Sequence, residues 1–196
     1  MSGTPFDGPV GSRLWLVRHP RPDVPAGLCY GASDVPIVDA HLAELLDALP
    51  ARLPRDAALY SSPLSRCLRL ALGLHAAGFA APAVDPRLRV MDFGRWEGRT
   101  WSEVPRDEID AWRDDIERYV PPGGESVASL AARGLDFVAT LPHPHEAIVV
   151  THAGVIQTLA RGLRRRPMTN FGGTPVAYGE IVALRHDPDG WTLVEP

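Results

Sequence analysis

Hydrophobic positions along this chain follow two rhythms. "RLWLVR" (13–18), "ALYSS" (58–62) and "EAIVVTH" (146–152) are short apolar runs of the kind that form buried strands. Elsewhere the apolar residues return every three or four positions. "DAHLAELLDAL" (39–49) carries Leu42, Leu45, Leu46 and Leu49 at helical spacing, with Asp39 placed to cap it. "PLSRCLRLALGL" (63–74) predicts a helix with Pro63 in its first turn. "GGESVASLAARGLDFVATL" (123–141) sets Val127, Leu130, Ala131, Leu135 and Val138 on one face, and "AGVIQTLARGL" (153–163) follows its strand directly. "RLRVMDF" (87–93) reads as a strand or extended edge, and "WSEVPRDEIDAWRDDIERYV" (101–120) as two short helices broken by Pro105. "VAYGEIVALRH" and "GWTLVE" around "DPDG" form an antiparallel hairpin.

Strands alternating with helices predict an α/β fold: a three-layer α/β/α sandwich with a mostly parallel sheet, an antiparallel edge and a small helical cap insertion at about 92–125. The first dozen residues, "MSGTPFDGPVGS", read as a flexible tail, and 13–196 as a single domain. Composition adds mainly exclusions. A net charge of −4 argues against a global attraction to nucleic acid or an anionic membrane, and no apolar stretch is long enough to span a bilayer. Cys29 and Cys67 have neither metal-site spacing nor the density of a disulfide scaffold, so a reduced, cytoplasmic setting fits. The oligomeric state stays open, a homodimer included.

The candidate chemistry lies where the strands end, since ligands of such sheets gather beyond the carboxyl ends. The first strand ends in Arg18-His19. "EAIVVTH" ends in Thr151-His152 before Ala153-Gly154 opens a helix, and "YSSPLSR" places Arg66 in the first turn of another. Helix starts present unpaired amides, and arginine forks match phosphate oxygens in pairs. Two arginines, two histidines and helix starts on one edge describe a pocket for a phosphoryl group. Singly, each residue has a plainer reading: a hydrogen-bonded structural histidine, or a salt-bridging arginine. Cys29, Tyr30 and Gly31 sit where they could line the pocket mouth, although the glycine could serve only its turn. Trp96, Trp101 and Trp112 could pack a small cap or stack on an aromatic base. "GGES" could start a helix capped by Ser126 or bring Glu125 or Ser126 to a substrate. In "HPHE", His143 and His145 lack a third ligand at metal spacing and read as a solvated loop.

Taken in order, "LVRHP", "SSPLSR" and "VVTHAG" make the chain similar to the histidine phosphatase superfamily, which includes the cofactor-dependent phosphoglycerate mutases. "VPAGLCYGASDVPI", "MDFGRWEG" and "PPGGES" resemble the alpha-ribazole phosphatases most. The resemblance implies a phosphomonoesterase that needs no metal and no cofactor, acting on a small phosphate ester such as alpha-ribazole 5′-phosphate. His19 would attack phosphorus to give a phosphohistidine that water hydrolyses, with Arg18, Arg66 and a protonated His152 stabilising the oxygens. Tyr30, Gly31, Glu97 and Ala153 would bind substrate. A mutase-like phosphoryl transferase, another sugar-phosphate phosphatase and a catalytically quiet phospho-ligand binder are the alternatives.

The chain departs from that family's pattern at Pro20, where a glycine is common, and at Val90, where the relatives carry a glutamate that protonates the leaving oxygen. If "RLRVMDF" is extended, Val90 and Asp92 face the same way, so Asp92 is expected to donate the proton. Glu97 or a water is the alternative donor; the structural alternative for Glu97 is to hydrogen-bond backbone amides of the following turn.

Overall fold

The run Glu146–Thr151 is buried at every position but its first, and it lies near the middle of the sheet. A computed structural model describes residues 10–142, 145–168 and 175–196. In chain order its elements are β1 (Arg13–Arg18), α1 (Asp39–Ala48), β2 (Ala58–Ser61), α2 (Ser65–Ala76), β3 (Ala83–Val84), α3 (Arg106–Asp114), α4 (Val127–Ala139), β4 (Glu146–Thr151), α5 (Ala153–Leu163), β5 (Ile181–Asp187) and β6 (Gly190–Val194). The strand order is β3-β2-β4-β1-β5-β6. The first four are mutually parallel, and β5 and β6 form the antiparallel edge.

Alternation along the central strands sorts their side chains onto two faces. Leu14, Leu16, Ala147 and Val149 pack with residues of α4 and α5, whereas Val17, Ile148 and Val150 pack with residues of α1 and α2. Both faces of the sheet are therefore covered, which is the three-layer arrangement the sequence predicts. Ser126 caps α4, its hydroxyl accepting from the Ser129 amide at 3.1 Å, a contact worth about 1 kcal/mol. Among the described residues no helix is long and apolar enough to cross a membrane.

Several expectations need correction. Val38, not Asp39, occupies the cap position of α1; Asp39 lies in the first turn and pairs with Arg69 at 2.8 Å. Helix α2 begins at Ser65, so Pro63 precedes it. Residues 87–93 form no strand. Pro86–Leu88 is a 3-10 turn, and the following carbonyls are taken by side chains instead of a neighbouring strand. Ahead of Pro105 there is a turn, in which Glu103 accepts from the Thr100 amide at 2.7 Å, and a single helix follows. Of the predicted tail, residues 1–9 lie outside the described residues. Gly11 and Ser12, however, are bonded to His186 of β5, and Ser12 is fully buried. His143 also lies outside the described residues, and His145 is buried rather than solvated.

Candidate active site

Register brings the chemistry together. Arg18 is level with Thr151, and Ser61 with Val150. One residue further, the His19 amide donates to the Thr151 carbonyl and the Ser62 amide to the Val150 carbonyl, each at 3.0 Å. His19, Ser62 and His152 therefore sit side by side just beyond the carboxyl ends of three parallel strands, and the His19 and His152 rings lie 5.0 Å apart in an edge-on contact. A cavity of about 310 Å³ opens there, lined by Arg18, His19, His152, Ala153 and Gly154 on its floor. A larger cavity, about 630 Å³, lies between α5 and the β5–β6 edge. Neither histidine lines it, so the candidate site is the smaller one.

His19 is 2% exposed, and its Nδ1 lies 2.7 Å from the Pro20 carbonyl. A carbonyl can only accept, so Nδ1 carries the proton and Nε2 keeps a free lone pair. Burial, outweighing the Pro20 carbonyl and helped by the charges of Arg66 and Arg18, lowers its pKa to about 3. The imidazole is thus neutral at physiological pH, with the Nε2 lone pair available. His152 is fully enclosed. Burial first, then the neighbouring His19 and Arg66, hold its pKa well below 6.5. Its Nε2 lies 2.9 Å from the Ser62 hydroxyl and 3.4 Å from the Cys67 sulfur. The expected protonated His152 is therefore not the resting form, although an arriving dianion would offset part of that cationic field.

The arginines differ. Arg18 stacks on Tyr178, with the guanidinium carbon 3.6 Å from the ring centroid, and its Nη1 donates to the Val176 carbonyl. Arg66, wholly buried, donates to the carbonyls of Gly31 (2.7 Å) and Ser33 (2.8 Å). It does not line the cavity wall. The Nε groups of both arginines are buried beside His19 and find no hydrogen-bond partner among the described residues, an arrangement that invites an anion. The two helix starts also differ. Asp34 accepts from the Ser65 amide at 3.0 Å and closes the start of α2, whereas Ala153 and Gly154 at the start of α5 face the cavity. Only the α5 start keeps the predicted anion-binding character.

Leu28, Cys29, Tyr30, Val90, Phe93 and Trp101 line the upper wall. Gly31 reaches it in a left-handed conformation (φ 34°), and a side chain there would collide with the Glu97 carboxylate and stand 2.9 Å from the Met91 carbonyl. The expectation for Asp92 fails on geometry. Because residues 89–93 are not a regular strand, Val90 reaches the cavity while Asp92 does not, and Asp92 Oδ1 accepts from the Gly94 amide at 2.8 Å. Glu97 is also turned away, accepting from the amides of Ala32 (2.7 Å), Ser33 (2.7 Å) and Phe93 (3.0 Å). Its role is structural, but on amides of the 32–33 loop and of Phe93 rather than of the following turn, and it joins the two loops of the wall. Glu125 pairs with Arg133 at 2.6 Å and accepts from the Asp92 amide, so "GGES" braces the wall rather than meeting the cavity.

Sequence reasoning missed Tyr178, Ser62 and Arg133. Tyr178 was within reach, because a final hairpin antiparallel to β1 must begin beside the end of β1; Gly179 indeed donates to the Arg18 carbonyl at 3.1 Å. Arg133 carried no signal. Its grip on the carbonyls of Arg87, Arg89 and Val90 depends on a contact more than forty residues away in sequence. The tryptophans chiefly pack the cap: Trp101 and Trp112 stack at 5.9 Å and Trp96 is buried, while Trp101 also shows an edge to the cavity.

Comparison with known proteins agrees with this arrangement. A glucosyl-3-phosphoglycerate phosphatase of Mycolicibacterium vanbaalenii is 31% identical over 175 residues, spanning 81% of this chain and 77% of the relative. An adenosylcobalamin/alpha-ribazole phosphatase of Escherichia coli is 28% identical over 164 residues, 79% of this chain and 80% of its own. The solved structure of a mycobacterial glucosyl-3-phosphoglycerate phosphatase superimposes with a TM-score of 0.79 at 26% identity, covering 93% of this chain and 97% of that one. The family model for the histidine phosphatase superfamily (branch 1) matches residues 14–196. With its histidines and arginines gathered at the ends of its parallel strands, this chain belongs to the histidine phosphatase superfamily.

Proposed function

We propose that this phosphatase hydrolyses a small organic phosphate monoester through a phosphohistidine on His19, with no metal. One observation carries the reading: a buried imidazole, held neutral with Nε2 free, stands beside two arginines whose Nε groups lack partners. Nε2 attacks phosphorus in line, the arginines and His152 stabilise the equatorial oxygens, and water then cleaves the P–N bond. Guanidinium charge takes the part a divalent ion plays in other phosphoryl-transfer sites. We read 13–196 as one catalytic domain, with the excursion 92–125 forming part of its wall. Two free, buried cysteines suit a cytoplasmic setting.

Substrate identity divides between two relatives. The aromatic wall favours an apolar group of the kind alpha-ribazole 5′-phosphate carries, whereas the 31% identical relative favours a glucosyl phosphoglycerate. Among the described residues the wall offers no charged partner for a glycerate carboxylate, which favours the apolar ligand. Incubation with ³²P-labelled phosphate esters should trap acid-labile, base-stable label on the wild-type protein. The His19→Ala variant should trap none and lose on the order of 10⁴-fold or more in rate, with EDTA without effect on the wild type. Turnover surviving in the variant would overturn the proposal.

A further inference from the structure

The wall above His19 has a chemical peculiarity. Among the described residues lining the cavity, none carries a carboxyl group. Three acids of the surrounding loops are held elsewhere: Asp92 by the Gly94 amide, Glu97 by three backbone amides and Glu125 by Arg133. Residues 169–174, "TNFGGT", could add none, since they contain no acid. The remaining protic groups of the wall hold their protons tightly. Burial raises the Tyr30 hydroxyl and the Cys29 thiol to about 12 each. His19 is the nucleophile, and His152 is neutral on the floor.

What the wall does provide is apolar surface. Leu28, Val90, Met91, Phe93 and the edge of Trp101 surround the space above the phosphate, and the cavity, at about 310 Å³, is at the small end for ligand sites. Resting on the proposed phosphohistidine reading, we infer that phosphate esters of acidic hydroxyls, phenolic esters foremost, turn over fastest, and that an ester of a simple alcohol whose apolar group fits the wall, alpha-ribazole 5′-phosphate included, binds but turns over slowly for want of an acid. The step balances without an enzymic acid. The N–P bond forms as the P–O bond breaks, its electron pair leaves with the phenolate, and the phenolate takes a proton from bulk water. Water then attacks phosphorus, the P–N pair returns to His19, and inorganic phosphate departs. A phenol ionises near pH 10, whereas an alcohol holds its proton about as firmly as water, at about 15–16. An alkoxide therefore leaves slowly from a wall that cannot protonate it.

The test is the dependence of kcat/KM on the leaving group, measured with substituted phenyl phosphates and with glycerol and ribose phosphates. A steep decline with leaving-group basicity is expected, with alkyl esters below phenyl phosphate by at least the factor of about 10²–10⁴ that a positioned acid would supply. Val90→Glu should flatten the dependence and raise the alkyl rates selectively. If that variant fails to fold by circular dichroism, the wild-type slope alone decides. Alkyl esters hydrolysed as fast as phenyl phosphate would overturn the inference, and a shallow slope that steepens in Tyr30→Phe would assign the proton to that hydroxyl instead. Labelling of His19 by p-nitrophenyl phosphate separates the two proposals. Label with a shallow slope defeats only this inference, whereas turnover without label defeats the phosphohistidine reading beneath it.

Discussion

The floor of the cavity is built from residues one step beyond parallel strands, while its upper wall is irregular chain between β3 and α3 together with the loop after β1. On the floor, His19, Ser62 and His152 are placed by ladder hydrogen bonds, and their positions follow from strand register. On the wall, backbone groups that no strand pairs are satisfied by side chains: Glu97 on the amides of Ala32 and Phe93, Arg133 on three carbonyls, Glu125 on the Asp92 amide. The floor concentrates buried charge and titratable groups, whereas the wall presents hydrocarbon to the ligand and keeps its acids behind it. The groups to which the proposed chemistry is assigned sit on paired strand ends. The wall that would meet the leaving group depends on clamps that single substitutions can loosen.

Arg66 lies behind both regions, its charge acting on His19 and its donors on the carbonyls of Gly31 and Ser33, so changing it tests the contrast most severely. Arg66→Lys should lower kcat on the order of 10²–10³-fold, because an ammonium cannot hold the carbonyls of Gly31 and Ser33 while also forking onto phosphate. Steady-state rates with p-nitrophenyl phosphate, beside a thermal melt, measure both parts. A rate within a few-fold of wild type would reduce Arg66 to an anchor for the wall.

Titration of the floor should be visible in stability. Imidazoles in the unfolded chain protonate near 6.5, but folded His19 resists until about 3, and His152 shifts in the same direction. The unfolded state therefore binds more protons below about 6.5. The stability present above that pH is lost as pH falls towards the folded values, by up to about 1.4 kcal/mol per pH unit for each imidazole. Urea unfolding at pH 7.5, 6 and 5 should show this slope, and His19→Ala should remove one residue's share. Stability that stays flat over that range would mean a floor open to water.

The smallest effect is expected on the wall at Asp92. In Asp92→Asn the amide oxygen can still accept from Gly94, so stability should change by only about 0.5–1 kcal/mol, and activity on alkyl and phenyl phosphates should fall slightly and equally. A loss confined to alkyl esters would return the proton-donor role to Asp92 and erase the chemical difference between floor and wall.

Much of this molecule follows from local pattern. The apolar run at 146–151 and the leucine spacing at 42–49 specify strand and helix through side-chain period alone. The end of a buried strand is a place a sequence can mark, as "LVRHP" and "VVTHAG" do. The fold class and the gathering of His19, Arg18, Arg66 and His152 at one edge of the sheet were legible on those terms. Tertiary structure alone decided that 87–93 is not a strand, that Asp92 and Glu97 turn from the cavity, and that Asp34 closes the start of α2. Each of these depends on a polar side chain meeting a backbone group outside its own element. Hydrophobic period does not encode such a meeting, because it exists only once the sheet and its helices have brought distant segments within hydrogen-bond reach.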